Sequence, residues 1–205
     1  MREMEKKKFS IDSIDDKIFD FVYHEALGDA TQQRALQKTN KKDFLDKMSK
    51  KDNDAKNAVQ SYIADIIAGE LKEKEAHDKK FYATIKSILD YADCNDFTFG
   101  NAQKLINMTA KYFYIMCYKN DNLRKKFANC HCPMDSIMIK KVREKYKEQI
   151  NKTWQLKSDT AWSKLEMDEK NNIPKAYEEF QNLIKNNKEN RSPLEFDFFE
   201  WNNEK

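Results

Sequence analysis

DAKNAVQSYIADIIAGELKEK, residues 54–74, is the stretch whose pattern decides the fold class. Ala55, Val59, Tyr62, Ile63, Ile66, Ile67 and Leu71 recur every three or four residues and make one apolar stripe along a helix. Gly69 is expected inside this helix, where it costs ~1 kcal/mol relative to alanine and permits a close helix crossing. The same spacing continues outward in both directions. Phe81, Tyr82, Ile85, Ile88, Leu89 and Ala92 predict a helix over 77–93, and Leu105, Met108, Tyr112, Phe113 and Met116 a long one over 101–119. Between them, Asp93 to Gly100 is the clearest break in the middle of the chain. Towards the N-terminus, Ser13 with Asp16 forms a capping-box pair ahead of Ile14, Ile18, Phe19, Val22 and Tyr23, and Gly28 is the expected stop. A short helix over 29–38 and another around Phe44, Leu45 and Met48 fill the interval. Beyond residue 119, Asp135 predicts the N-cap of a helix from 136 to about 150, and Pro174 opens one over 174–187.

Only 3 glycines and 3 prolines occur in 205 residues, too few for glycine-rich phosphate loops or a many-stranded hairpin fold. An all-α bundle of about eight to ten helices is the expectation, with residues 1–9 a flexible charged leader and 10–205 a single domain. A hydrophobic fraction of 40% supports a core despite 36% charged residues. The tail from Pro193 to Trp201 carries Phe196, Phe198 and Phe199, and so aromatic a segment is expected to pack back on the domain. Trp154 and Trp162 are likewise read as core residues before they are read as platforms for unpaired bases.

The net charge of +3 comes from 38 basic and 35 acidic residues, a balance that permits a local nucleic-acid patch without demanding one. No run of 18 apolar residues is present, so no membrane partner is expected. The charged start from Met1 to Lys8 lacks an apolar segment behind it, which points to a cytoplasmic protein with Cys94, Cys117, Cys130 and Cys132 reduced.

Several chemistries fail on spacing. Neither a phosphate-cradling GxxxxGK[ST] nor a GxGxxG is present. His24-Glu25 begins like a zinc-protease helix, but Gly28 stands where the second histidine is needed. Cys130-His131-Cys132 offers zinc-ligand atoms, yet zinc-binding cysteines usually come as C-x₂₋₄-C pairs, and buried reduced thiols are the better reading. No metal or organic cofactor is expected.

Two helix entrances are more suggestive. Asp135 lies two residues after Pro133 and caps a helix, where the helix N-terminus favours its negative charge. A carboxylate so placed can orient a water or stabilise a developing oxocarbenium ion, as glycosidic-bond cleavage requires. Lys104 sits in the first turn of a helix after Gly100 and can act as an amine nucleophile at a sugar carbon. Gln103, Asn107 and Lys111 share its side of the helix, pointing either into a cleft or into water.

The order Gly-x-x-x-Lys at one helix entrance and Pro-x-Asp at the next resembles the helix-hairpin-helix DNA glycosylases, the 8-oxoguanine branch in particular, over roughly residues 98–140. The resemblance implies a helical protein that binds DNA in the service of repair and excises a flipped-out base. Lys104 would attack the sugar carbon, Asp135 would assist base loss, and Gly100 would be a hairpin glycine. Gln103 and Asn107 would line the base pocket. Ala102 stands where the family carries a second hairpin glycine, and 31 residues (135 − 104) separate lysine from aspartate, a longer interval than the family usually shows.

A rival reading uses Arg124 and His131. Their Arg-x₆-His spacing resembles the signature of the HEPN helical RNases, which implies an arginine that binds phosphate and a histidine that acts on the RNA backbone across a dimer interface. A third reading is a non-catalytic helical interaction protein, in a phage or defence setting.

Overall fold

The computed structural model describes residues 14–32, 36, 38–150, 154–168, 173–186 and 191–202. The leader expected over 1–9 and Ser13 of the expected capping box lie outside them. Every regular element is helical: α1 (Asp16–Ala30), α2 (Lys41–Ser49), α3 (Asp54–Ala68), α4 (Lys74–Ala92), α5 (Phe99–Met116), α6 (Asp121–Arg124), α7 (Ser136–Lys145), α8 (Lys175–Lys185) and α9 (Pro193–Asn202). Short 3₁₀ turns at Lys125–Phe127 and Trp162–Lys164 complete the described set. Among the described residues no helix is long and apolar enough to cross a membrane.

Capping chemistry explains where the helices begin and end, and corrects three expectations. Asp15 caps α1, its carboxylate accepting from the N–H groups of Lys17 and Ile18. Gly28 does not stop α1. The helix runs on to Ala30 and ends where the Thr31 hydroxyl bonds back to the Leu27 carbonyl at 2.7 Å. No separate helix begins at 29, and Thr31, Gln32, Leu36 and residues 38–40 are irregular. Gly69 lies not inside α3 but just beyond it, in the left-handed conformation (φ 84°) that a side chain disfavours and that closes the helix.

The core is built around α5. Fourteen of its residues are buried, from Phe99 to Tyr114, so the helix has no solvent face to receive its polar residues. Leu105, Ile106 and Phe113 pack among α1, α3 and α4, where Phe19, Tyr62, Ile63 and Phe81 are also inaccessible. The opposite stripe, Gly100, Gln103, Lys104, Asn107 and Lys111, is covered by the 128–135 loop, the 154–168 segment, α8 and α9. Burying these groups is tolerable only where each is paired. The aromatic tail does pack back, as α9: Leu194 and Phe196 are fully buried, while Trp201 keeps 46% of its surface.

Candidate functional site

The polar stripe of α5 meets the 128–135 loop through two glutamines. Gln103 donates to the Met134 carbonyl (2.8 Å) and accepts from the Met134 N–H (3.2 Å); Gln181 of α8 does the same for Cys132 (2.7 and 3.1 Å). Together the two amides stand in for strand partners on both sides of the loop, which satisfies backbone groups that no helix can serve. The loop ends in Asp135, whose Oδ1 accepts from the Met138 N–H at 2.9 Å as the N-cap of α7. Its other oxygen lies 3.4 Å from Lys104 Nζ, and both side chains are largely buried. Lysine and aspartate, 31 positions apart (135 − 104), therefore share one site.

A second ion pair lies beside the first. Lys111 Nζ is 2.6 Å from Asp197 of α9, and Trp201 covers the ammonium with its ring 5.1 Å away. Burial raises the Asp197 carboxyl above the usual carboxylate range, Lys111 and Lys104 oppose the shift, and Asp135 reinforces it. The two pairs therefore feel each other. Trp162 lies over Lys104 in the same way, its ring centre 4.7 Å from Nζ. The result is a buried electroneutral quartet with a tryptophan over each lysine. Sequence reading placed Lys111 beside Lys104 but missed Asp197 and Trp201, because α9 lies more than eighty positions along the chain from Lys111 and only packing unites them.

The remaining residues of this stripe are structural. Gly100 donates its N–H to the Leu165 carbonyl (3.1 Å), and the Thr98 hydroxyl donates to that of Ser163 (3.0 Å). A Cβ at residue 100 would lie 1.7 Å from the Trp162 carbonyl oxygen. Gly100, which the resemblance made a hairpin glycine, spends its N–H on this close backbone crossing. Gln103 and Asn107 are fully buried: Asn107 Nδ2 donates to Gln103 Oε1 and to the Tyr177 hydroxyl, both at 3.1 Å, while Asn107 Oδ1 has no partner among the described residues. Neither side chain reaches solvent.

Within one chain Arg124 and His131 have separate partners. Arg124 pairs with Asp121 at 3.0 Å and lies over the Tyr118 ring. His131 is buried, with Nε2 3.0 Å from Asp78 Oδ1 and Nδ1 3.0 Å from the Tyr177 hydroxyl. Burial foremost, with help from Lys185 and His77, pushes the His131 pKa down to about 3, so the ring is neutral and out of reach of an RNA backbone. Its neighbours form a cluster that sequence reading also missed. His77 Nδ1 approaches the same Asp78 oxygen at 3.1 Å, and one ligand atom from each of His77, Asp78 and His131 lies within 4.8 Å of the others. Adjacency of His77 and Asp78 was legible, but not that the 128–135 loop returns to them. Cys130 and Cys132 are buried free thiols, and burial raises both, Cys130 to about 12.

Two open surface hollows lie elsewhere. One of about 820 Å³ is bounded by Thr39, Phe44, Lys47 and Asp93; another of about 840 Å³ runs along α7 past Ser136, Lys140, Lys141 and Lys145. The second begins one residue from Asp135. No protein-family model, curated protein or solved structure matches the chain.

Proposed function

We propose that this protein is a DNA base-excision enzyme of the N-glycosylase kind, with Lys104 and Asp135 as its catalytic residues. The reading rests on one observation: an ammonium from the second turn of α5 and a carboxylate from the N-cap of α7 sit 3.4 Å apart in a largely dehydrated site. Glycosidic cleavage at a nucleoside needs this pair. As the C1′–N bond breaks, positive charge grows on the sugar, and the Asp135 carboxylate stabilises it in a medium of low dielectric. The Lys104 ammonium gives one proton to the departing base and, as the free amine, forms the new bond to C1′. The base departs with the electron pair of the broken bond and takes up that proton. Asp135 is held for the task by its N-cap bond to Met138, and its loop by Gln103 and Gln181.

Trp162 must move for a base to enter, since it covers Lys104. It is carried on the 154–168 segment, an irregular stretch whose residues are exposed or half-buried apart from Leu156. The hollow along α7 beside Asp135 is lined by Lys140, Lys141 and Lys145 together with Glu144 and Glu200, and Lys145 is paired with Glu200 at 2.6 Å, so Lys140 is the lysine best placed to meet a phosphate there. The test is to incubate the protein with duplexes carrying an oxidised or an alkylated base, add borohydride, and look for a covalent adduct. An adduct that is lost in Lys104→Gln is the expected result. Absence of base release from every duplex, with the protein folded, refutes the reading.

A further inference from the structure

His77 and Asp78 lie early in α4, and His131 lies on the loop before α7. Each imidazole turns one ring nitrogen towards the same oxygen of Asp78, at 3.1 and 3.0 Å. Each turns its other nitrogen to a buried phenol: His77 Nε2 to Tyr62 at 2.7 Å, and His131 Nδ1 to Tyr177 at 3.0 Å. Two nitrogens and one carboxylate oxygen thus converge from two chain segments on one point, each ring fixed from behind by a hydroxyl.

We propose that His77, Asp78 and His131 bind one divalent transition-metal ion of the zinc class. Two imidazole nitrogens with a carboxylate oxygen are the donors such an ion prefers, and three protein ligands leave a position for water. Two of the three ligand separations are close to what it needs, and the third, between the two ring nitrogens, is at most 4.8 Å. Ligands about 2.0–2.2 Å from a tetrahedral ion lie roughly 3.4 Å from one another. The nitrogen–oxygen separations of 3.1 and 3.0 Å therefore need to open by only a few tenths of an ångström. The outer shell is already built, because a metal-bound imidazole needs its second nitrogen oriented by a hydrogen-bond partner, and Tyr62 and Tyr177 supply one each.

The hydrogen bonding fits as well: each ring sets its second nitrogen against a phenol that can either donate or accept, so the ring stays oriented whichever nitrogen carries the proton. Asp78 keeps about a quarter of its side-chain surface exposed, which provides the entrance. Lys185 opposes the ion, since its charge acts on both Asp78 and His131.

The experiment uses the full chain, stripped with a chelator and titrated with Co²⁺, then back-titrated with Zn²⁺. One equivalent of Co²⁺ giving the visible absorption of a nitrogen–oxygen tetrahedral or five-coordinate site, and displaced by one equivalent of Zn²⁺, is the expected result. Asp78→Asn, which keeps the volume and an acceptor for the histidines, should weaken binding at least ~10-fold, as should Tyr177→Phe through the lost outer-shell contact. Lys185→Met should tighten it several-fold. The proposal is overturned by a folded protein, shown by its circular dichroism, that takes up no Co²⁺ at micromolar concentration. It is also overturned by binding that Asp78→Asn and His77→Gln leave unchanged, or by a thiolate-to-cobalt charge-transfer band, which would place the ion on cysteine. None of these readouts depends on base-excision activity.

Discussion

Gly100→Ala probes the contact on which access to the candidate site depends. The new methyl would lie 1.7 Å from the Trp162 carbonyl oxygen, 2.7 Å from its carbon and 3.2 Å from Ser163 Cα, all backbone atoms that cannot rotate away. Helix α5 is buried on every side and does not yield, so the 161–165 backbone has to lift. Lifting it breaks the hydrogen bonds from Gly100 N–H to Leu165 and from the Thr98 hydroxyl to Ser163, and separates Trp162 from Lys104. Two neutral hydrogen bonds contribute about 0.5–1.5 kcal/mol each. A partly desolvated lysine–indole contact adds about 0.5–2 kcal/mol. The loss is therefore about 1.5–5 kcal/mol, against which the better helix propensity of alanine returns at most about 1 kcal/mol. With a urea m-value of ~2–3 kcal/mol/M, the unfolding midpoint should fall by roughly 1 M. Limited proteolysis should at the same time cut between 154 and 168 well before the rest of the fold opens. A variant with the parental midpoint and a protected segment would refute the claim that this backbone crossing holds the cover over Lys104.

Other outcomes follow from the buried polar groups. Tyr177→Phe removes the hydroxyl shared by Asn107 and His131, leaving two buried groups short of a partner; a loss of about 1–3 kcal/mol in denaturant unfolding is expected. His131 has a folded-state pKa of about 3 against 6.5 ordinarily, so the stability it contributes is whole above about pH 6.5 and is lost as the pH falls towards 3. Asp78, also depressed, acts in the same direction at lower pH. In chelator, urea midpoints should drop by the equivalent of a few kcal/mol between pH 7 and pH 4, and less in His131→Gln; identical slopes would contradict the burial argument. Thiol titration of the native protein should reach Cys94 and Cys117 but not Cys130 or Cys132, with all four reacting in urea. Breaking one ion pair should cost more than removing it whole: Asp135→Asn leaves a buried ammonium unpaired, whereas the double variant with Lys104→Met should recover part of the stability in a double-mutant cycle.

Apolar periodicity carried the helices of this protein because it is a local property. A residue three or four places on lies on the same face whatever the rest of the chain does, so α1, α3, α4 and α5 could be read from stripes such as Val59, Ile63 and Ile66, and α7 from its N-cap. Apart from the short helix expected over 29–38, the errors fell at ends, where one backbone conformation decides: Gly28 was tolerated within a helix and Gly69 closed one. Asp135 could be named in advance because it caps α7; Lys104, expected in the first turn of its helix, lies in the second, because α5 already begins at Phe99.

Which of these residues meet, and which reach solvent, was settled by packing. The polar stripe of α5 is ambiguous in sequence, since an amphipathic helix presents such a face to water or to a cleft with equal ease. Tertiary structure gave it a third fate, burial beneath a loop and α8 and α9, where Gln103 serves the backbone and Lys111 meets Asp197. His131 likewise changed meaning when it was found beside His77 and Asp78 rather than Arg124. Helix formation answers to neighbours a turn away, but the environment of a charge depends on every segment that comes to rest against it, and those segments are distant in the chain.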